Sequence, residues 1–512
     1  MEWRLPKLRD YQEKGLTLLR QAYSEGHKKI MLFAATGSGK GVWFLHLVAN
    51  PLKKNLKVCL VMRRRQLVLQ SARRFQLCGI NPSIFMGTEK GFNPNNNFQI
   101  CSIDTIARRE IDFLKDFDII ICDESHDCVS PTYQKFLSNF NDKIIIGLTA
   151  TPFKIGNKNH SYWDACIKPI EAHELMELGY LVPCSLFIPS DIDLSHIETD
   201  SKTRDYKTKQ LSNAMSKREI VGDIVENYKK IGNNKQAICF CVDKQHSKIL
   251  CQEFNESGIK AMHADESTKQ KERDDILNKF KRGEIQVITN VMIFSTGLDL
   301  PQAEVGIMAR PTKSEVLWIQ QVGRLLRPYR KCGKCNTQYD NSEKCPKCGH
   351  DKPSYIKNSA IIIDHGANSI ELGHPYDVRY PDMGKDKEKQ KREKSLLRTC
   401  KQCFFVYPAQ IKTCPNCNNV NKLPERLYET KQGEIVPYDE FSLIKNYYDG
   451  LLKSERIMAW RRNAKYFKLY EKFGSKVMKY KKEFSIPPWI PKIIEKQKKE
   501  ELQGKLYDGS ET

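Results

Sequence analysis

The sequence predicts two α/β units in tandem, each built on a parallel sheet, and three observations predict them. A short apolar run, Ile119-Ile120-Ile121-Cys122, stops at Asp123-Glu124-Ser125-His126. Buried parallel strands read as unbroken apolar runs, and α/β proteins collect their ligand-binding groups at the carboxyl ends of such strands. Upstream, a strand over 29–33 runs into Ala34-Ala35-Thr36-Gly37-Ser38-Gly39-Lys40 and then an apolar helix over 42–48. Downstream, a fresh alternation begins at Gln236, with strands over 236–242, 259–263, 285–291 and 305–309 and helices between them.

In chain order, a helix opens at 8–12 and carries Leu16, Leu19 and Ala22 at helical spacing. The glycine-rich segment is a phosphate cradle. Its glycines let backbone N–H groups close on phosphate oxygens, the following helix adds its dipole, and Lys40 reaches the terminal phosphates. The residue after that lysine is ordinarily Ser or Thr, whose hydroxyl ligates Mg²⁺; here it is Gly41. With no side chain there, a metal would rely on Asp123, nucleotide oxygens and water. Restoring a hydroxyl at Gly41 is expected to raise activity.

A strand over 58–62 leads into Arg63-Arg64-Arg65, and another over 100–106 carries Ser102 and Thr105. A strand from Lys143 closes on Thr149-Ala150-Thr151-Pro152. Two adjacent carboxylates are costly in an apolar setting unless a cation or a proton-transfer role holds them. Taken singly, each of these segments also reads as ordinary loop chemistry at a strand end.

In the second unit, Asn290 to Asp299 contains Ser295-Thr296-Gly297-Leu298-Asp299, and Gln320-Gln321-Val322-Gly323-Arg324-Leu325-Leu326-Arg327 follows. Arginines three apart are expected on one face of a helix. A solvated basic helix end is the other reading. A strand over 359–365 closes the unit.

Together and in order, these blocks resemble superfamily 2 DExH-box helicases over roughly Leu5 to Gly366. Arg9–Gln12, Ala34–Lys40, Asp123–His126, Thr149–Pro152, Asn290–Asp299 and Gln320–Arg327 look like the family's Q motif and motifs I, II, III, V and VI. The resemblance implies two RecA-like lobes with ATP and Mg²⁺ between them. It implies that Lys40, with Thr36, Gly37, Ser38, Gly39 and Gly41, cradles the phosphates, and that Arg9 and Gln12 recognise adenine. It further implies that Asp123 holds Mg²⁺ through water and Glu124 positions the attacking water. Gln320 would face His126 across the cleft, and Arg324 and Arg327 would act on the γ-phosphate. Gly297 and Asp299 join the nucleotide set, while Arg63, Arg64, Ser102, Thr105, Thr149 and Thr151 couple to nucleic acid. Where the family often has Glu before the motif V glycine, this chain has Thr296.

Eight of the 18 cysteines form four Cys-x-x-Cys pairs. Cys332 and Cys335 pair with Cys345 and Cys348, and Cys400 and Cys403 with Cys414 and Cys417. Two such pairs across a short loop set up a tetrahedral thiolate site, so two structural Zn²⁺ are expected in two zinc ribbons, with no open position for water. His350 reads as a surface residue. The first ribbon interrupts the second lobe beside the arginines. A charge run over 386–394 reads as a solvated linker, with a nuclear-import signal as the sharper alternative. Beyond the second ribbon, Ile457, Trp460, Ala464, Phe467 and Tyr470 recur at helical spacing among Arg461, Arg462, Lys465 and Lys468. Those aromatics suit either stacking on bases or a small helical core.

The resulting expectation is an α/β protein of two tandem RecA-like parallel-sheet lobes plus two zinc ribbons and a basic helical C-terminal module. The boundaries fall at 1–185, 186–370 with the first ribbon over 331–351, a linker over 371–395, the second ribbon over 396–424, and the module over 425–512. A net charge of +22 favours a polyanionic partner. No stretch has the length of a membrane span, and the N-terminus lacks an apolar signal region, so a cytoplasmic protein without a membrane partner is expected. The layout is similar to repair-type and phage-type helicases that remodel forked or branched DNA, which places the expected activity near repair, recombination and replication. DNA is therefore the expected substrate; protein partners are not legible. An RNA helicase or duplex-RNA-binding ATPase, and a zinc-dependent nucleic-acid scaffold with a weakened ATPase, are the alternatives.

Overall fold

A computed structural model describes residues 3–87, 89, 91–151, 161–189, 194–201, 203–293, 300–339, 342, 344–377, 397–409 and 411–420. Pro152, Thr296, Gly297, Asp299, the charge run over 386–394 and the whole module from 425 lie outside them, so the expectations placed there have no structural counterpart.

The first lobe holds strands β1 (Lys29–Phe33), β2 (Val58–Met62), β3 (Ser83–Phe85), β4 (Phe98–Ser102), β5 (Ile119–Asp123), β6 (Ile144–Thr149) and β7 (Ala165–Ile167). They form one parallel sheet in the order β3-β4-β2-β5-β6-β1-β7. Both faces are covered, and alternate residues of each strand supply the two cores. Ile30, Leu32, Leu60 and Ile121 pack toward helices α1 (Asp10–Ser24), α2 (Lys40–Leu52) and α3 (Arg65–Leu77). Met31, Val61 and Ile120 pack toward Tyr133, Phe136 and Phe140 on the other face. Strand register fixes the site: Asp123 lies level with Leu148, and Phe33 with Thr149. The acidic pair, the threonines and the glycine-rich loop therefore emerge at one edge.

The strand expected over 100–106 ends at Ser102, and a short helix, Ile103–Ile106, follows. Ile103 and Ile106 are both buried, and three-residue spacing reaches one core only if the backbone turns helical. Asp104 in that first turn favours the helix as well.

The second lobe holds β8 (Cys184–Phe187), β9 (Ala237–Phe240), β10 (Ala261–Ala264), β11 (Val287–Asn290), β12 (Val305–Met308) and, after an insertion, β16 (Ala360–Ile363). These also form a parallel sheet, in the order β10-β11-β9-β12-β16-β8. Strand β8 straddles the boundary expected at 185/186 and belongs to this second sheet, pairing Cys184 with Ala360.

The insertion is the first ribbon, an antiparallel sheet of β13 (Arg330–Cys332), β14 (Gln338–Tyr339) and β15 (Pro353–Ile356). The second ribbon carries β17 (Leu397–Thr399) and β18 (Val406–Pro408). It docks on the outer edge of β8: Ile188 N–H donates to Phe404 O at 2.9 Å, and the Phe187 and Phe405 rings meet at 5.4 Å. An edge strand with unpaired backbone groups is thereby covered. The chain thus folds as two RecA-like lobes with two zinc-ribbon modules. No helix among the described residues is long and apolar enough to cross a membrane.

Candidate active site

The glycine-rich loop turns between β1 and α2 through two left-handed glycines, Gly37 at φ +88° and Gly39 at φ +81°. Both also accept close neighbours: a Cβ on Gly37 would lie 2.5 Å from Leu181 Cδ2, and one on Gly39 2.7 Å from Gln12 Nε2. The loop is held from behind by α1. Gln12 Nε2 donates to Ser38 O at 3.1 Å, Tyr11 Oη donates to the same carbonyl at 2.8 Å, and Gln12 Oε1 accepts the Arg9 N–H at 3.0 Å. Gln12 is buried and braces the loop, while the Arg9 guanidinium lies 3.8 Å from the centre of the Tyr180 ring. Thr36 Oγ1 and Ser38 Oγ are buried hydroxyls without a hydrogen-bond partner. Such groups call for a ligand with acceptor oxygens.

At the end of β5, Asp123 is buried, and its Oδ1 accepts the Glu124 N–H at 2.9 Å. Burial, and then the adjacent Glu124 charge, push its carboxyl up to about 7; Lys40 and Arg324 pull the other way without prevailing. Burial acts on Glu124 in the same sense. There, however, Lys40, His126 and Arg324 win and hold the carboxyl below its ordinary value. Lys40 Nζ lies 3.2 Å from Glu124 Oε1. Glu124 sits at φ +47°, a left-handed backbone that a non-glycine residue adopts under local constraint.

His126 Nδ1 lies 2.9 Å from Thr149 Oγ1, 3.2 Å from Thr151 Oγ1 and 3.3 Å from Glu124 Oε2. The ring's polar contacts all lie within the first lobe, so the expected pairing with Gln320 is absent among the described residues; Gln320 is buried in its own helix. That helix, Glu315–Gly323, also corrects the arginines. It ends before them, Arg324 is its C-cap, and Arg327 lies beyond it. The Leu325 carbonyl, freed by the ending, accepts from the buried ammonium of Lys357 at 2.7 Å. Arg324 nevertheless lies near enough for its charge to favour the ionised form of both carboxyls. The lobes meet where a Cβ on Gly323 would lie 2.4 Å from Thr36 Cγ2.

The expected nucleic-acid residues divide. Arg63 is half-exposed and pairs with Asp127 at 2.8 Å, and Arg64 is exposed. Ser102 and Thr105 are buried, and the Thr105 hydroxyl accepts the Gly87 N–H. Tyr180, Leu181, Asp127 and Lys357 also shape the site. Only Asp127, within the acidic segment, carried any signal in the sequence.

A divalent cation fits here: Asp123 is a buried carboxyl short of positive charge, at the foot of a loop with unpartnered hydroxyls. In each ribbon the four Sγ atoms lie within 4.8 Å of one another. Their nearest separations, 3.4–3.6 Å, approach the edge of about 3.8 Å that Zn–S bonds of about 2.3 Å give in a tetrahedron. None of these cysteines is in a disulfide.

A lysine, an acidic pair and a second-lobe arginine converging on one glycine-rich loop define a nucleotide-hydrolysing motor of two RecA-like lobes. The family "Type III restriction enzyme, res subunit" matches residues 5–154, and "Helicase conserved C-terminal domain" matches residues 216–329. The chain belongs to superfamily 2 of the helicases, ATP-hydrolysing enzymes that act on nucleic acid. It is similar to a "51.5 kDa protein" of a Lactococcus phage, 28% identical over 81% of this chain and 83% of that protein. It is also similar to "Putative ATP-dependent helicase IRC3" of Saccharomyces cerevisiae, 30% identical over 65% of this chain. There it spans 51% of the relative's length. "DNA 3'-5' translocase XPB2" of Sulfurisphaera tokodaii is 23% identical over 63% of this chain and 79% of its own.

Proposed function

We propose that the chain is an ATP-driven DNA helicase or translocase acting on duplex, forked or branched DNA. The observation that carries this reading is the convergence of Lys40, Asp123, Glu124 and Arg324 from both lobes on one loop. Lys40 binds the terminal phosphates, and the buried hydroxyls of Thr36 and Ser38 donate to the same anion. Asp123 is the residue that would hold Mg²⁺, which supplies charge neutralisation on the phosphates when bound. Glu124, kept ionised by Lys40, His126 and Arg324, orients the attacking water and accepts its proton. Arg324 stabilises charge developing on the transferred phosphoryl group, with Arg327 as its neighbour in that role. Arg9 and Tyr180 form the platform on which adenine stacks, and Gln12 keeps the loop in shape for it. His126, tied to Thr149 and Thr151, carries nucleotide state toward the nucleic-acid face.

The net charge of +22 supports a nucleic-acid partner, and DNA rather than RNA is supported by a relative whose name specifies DNA translocation. The two four-cysteine clusters would hold Zn²⁺ as structural sites. The test is ATP turnover measured in parallel with single-stranded DNA, forked DNA and RNA. Strongest stimulation by forked DNA is expected; stimulation by RNA alone would overturn the substrate.

A further inference from the structure

Gly41 stands where a metal-ligating hydroxyl is ordinarily found, and its surroundings are not empty. A Cβ built there would lie 1.5 Å from Arg74 Nη1 and 2.7 Å from Arg74 Cζ. The tip of an arginine therefore fills the space that a serine or threonine side chain would take. Arg74 belongs to the last turn of α3, which packs beside α2 on the same sheet face.

The Arg74 side chain is exposed to solvent. Among the described residues, no carboxylate pairs with the Arg74 guanidinium, and no acceptor takes its hydrogens. The guanidinium lies against the first turn of α2, the positive end of that helix's dipole, and this turn carries no acidic residue. A cation at a helix N-terminus is disfavoured unless an anion completes the arrangement. The unpartnered hydroxyls of Thr36 and Ser38 on the same loop call for an oxygen-rich ligand too. A guanidinium presents a planar fork of donors that matches a phosphate in two parallel hydrogen bonds.

We propose that Arg74 is a phosphate-binding residue of the nucleotide site, standing in for the hydroxyl that Gly41 lacks. The inference rests on the ATP site described above and concerns how that site shares its work between protein and metal. A hydroxyl acts through Mg²⁺; a guanidinium cannot ligate a cation and bonds the phosphate oxygens directly. The exchange makes nucleotide affinity less dependent on metal. It also makes glycine a requirement, because any side chain at position 41 displaces the arginine. The gain expected from a hydroxyl at Gly41 is accordingly revised: Gly41→Thr alone loses the arginine contact before the new ligand compensates for it.

The test measures affinity for a fluorescent ATP analogue, with the full-length chain, in millimolar Mg²⁺ and again in EDTA. Thermal melts verify that each variant folds, and Arg74 is exposed enough for truncation to be tolerated. The wild type should keep its affinity in EDTA to within a few-fold. Arg74→Ala should lose roughly tenfold or more in EDTA and less in Mg²⁺, as deletion of a charged hydrogen-bond partner predicts. Gly41→Thr/Arg74→Ala should bind well only with Mg²⁺, and the two changes should be strongly non-additive. Wild-type affinity of Arg74→Ala in EDTA, or simple additivity, overturns the proposal. Lys40→Ala separates the two levels: if it too binds normally, the nucleotide site itself is misplaced. If Lys40→Ala fails to bind while Arg74→Ala binds normally, only the role of Arg74 falls.

Discussion

Replacing Asp123 with Asn should make the nucleotide-free protein more stable while ending hydrolysis. The carboxyl sits near 7 against an ordinary 3.8, because burial and Glu124 oppose its charge. A raised carboxyl keeps its proton in the folded state after the unfolded chain has lost it, so folding stability falls as pH rises from about 4 to about 7 and then levels off. At about 1.36 kcal/mol per unit, a gap of about three units sets a ceiling of about 4 kcal/mol. Part of that gap belongs to the pairing with Glu124, which leaves roughly 2–4 kcal/mol for the substitution to recover. Asn conserves the shape and still accepts the Glu124 N–H. For a lobe of this size each kcal/mol moves the melting midpoint by about 2–4 °C, so a rise on the order of 5–10 °C is expected at pH 8. Thermal melts followed by tryptophan fluorescence suit the measurement, since Trp43 and Trp163 are buried in the first lobe. At pH 5.5 the advantage should shrink to about half. A variant no more stable than wild type at pH 8, or an advantage that grows on acidification, would refute the assignment of Asp123 as a charge held ready for a cation.

Glu124→Gln should lower ATP turnover by roughly 10²–10⁴ and leave ATP affinity within a few-fold, because the amide cannot take a proton from water; single-turnover kinetics with equilibrium nucleotide binding check both halves. Lys357→Met should cut kcat about tenfold or more with little change in KM, since Lys357 Nζ holds the Pro301, Ala303 and Leu325 carbonyls and so fixes the segment that carries Arg324. Steady-state kinetics over ATP concentration separate the two constants. Cys345→Ser and Cys414→Ser should each remove one zinc per chain by metal analysis, with the first damaging turnover and the second raising the DNA concentration needed to stimulate it; identical phenotypes would count against separate roles.

The sheets were legible because a buried parallel strand announces itself by an apolar run and its function by what ends the run. Strands β1 and β2 fall where the sequence places them. The acidic pair and the glycine-rich loop meet because register in one sheet brings their strand ends level. What failed depends on contacts between segments distant in sequence. The helix stops at Gly323, and Lys357, thirty-odd residues on, takes the Leu325 carbonyl that the ending frees. Gly323 and the following Pro328 are the local signals of that ending. Gln12 reads as an adenine ligand by position; what its position does not reveal is that Nε2 donates to the Ser38 carbonyl of the loop while Oε1 accepts the Arg9 N–H. That the Arg74 tip lies beside Gly41 was not legible, because Arg74 is on another helix. Each cysteine quartet was legible because short spacing alone brings its four thiols together.

The two ribbons differ in what they hold. The first leaves the second lobe three residues after Arg327 and returns through Lys357, whose ammonium binds the carbonyl beside Arg324. Gln302 also hydrogen-bonds Gln338 of β14, and Tyr355 of β15 hydrogen-bonds Glu304, itself paired with Lys235. Movement of this ribbon is therefore movement of the arginine segment. The second ribbon instead covers the outer edge of β8, through Phe404 and Phe405. Between the lobes, Leu181 packs on Gly37 while Val182 N–H donates to Leu326 O at 2.8 Å, so one connector touches both the phosphate loop and the arginine segment. With Gly323 against Thr36, the lobes are in contact at the start of the glycine-rich loop. The connector ties this contact to the segment that holds Arg324. The glycine-rich loop and the arginine segment are thus linked through one connector, and the first ribbon joins the same segment through Lys357.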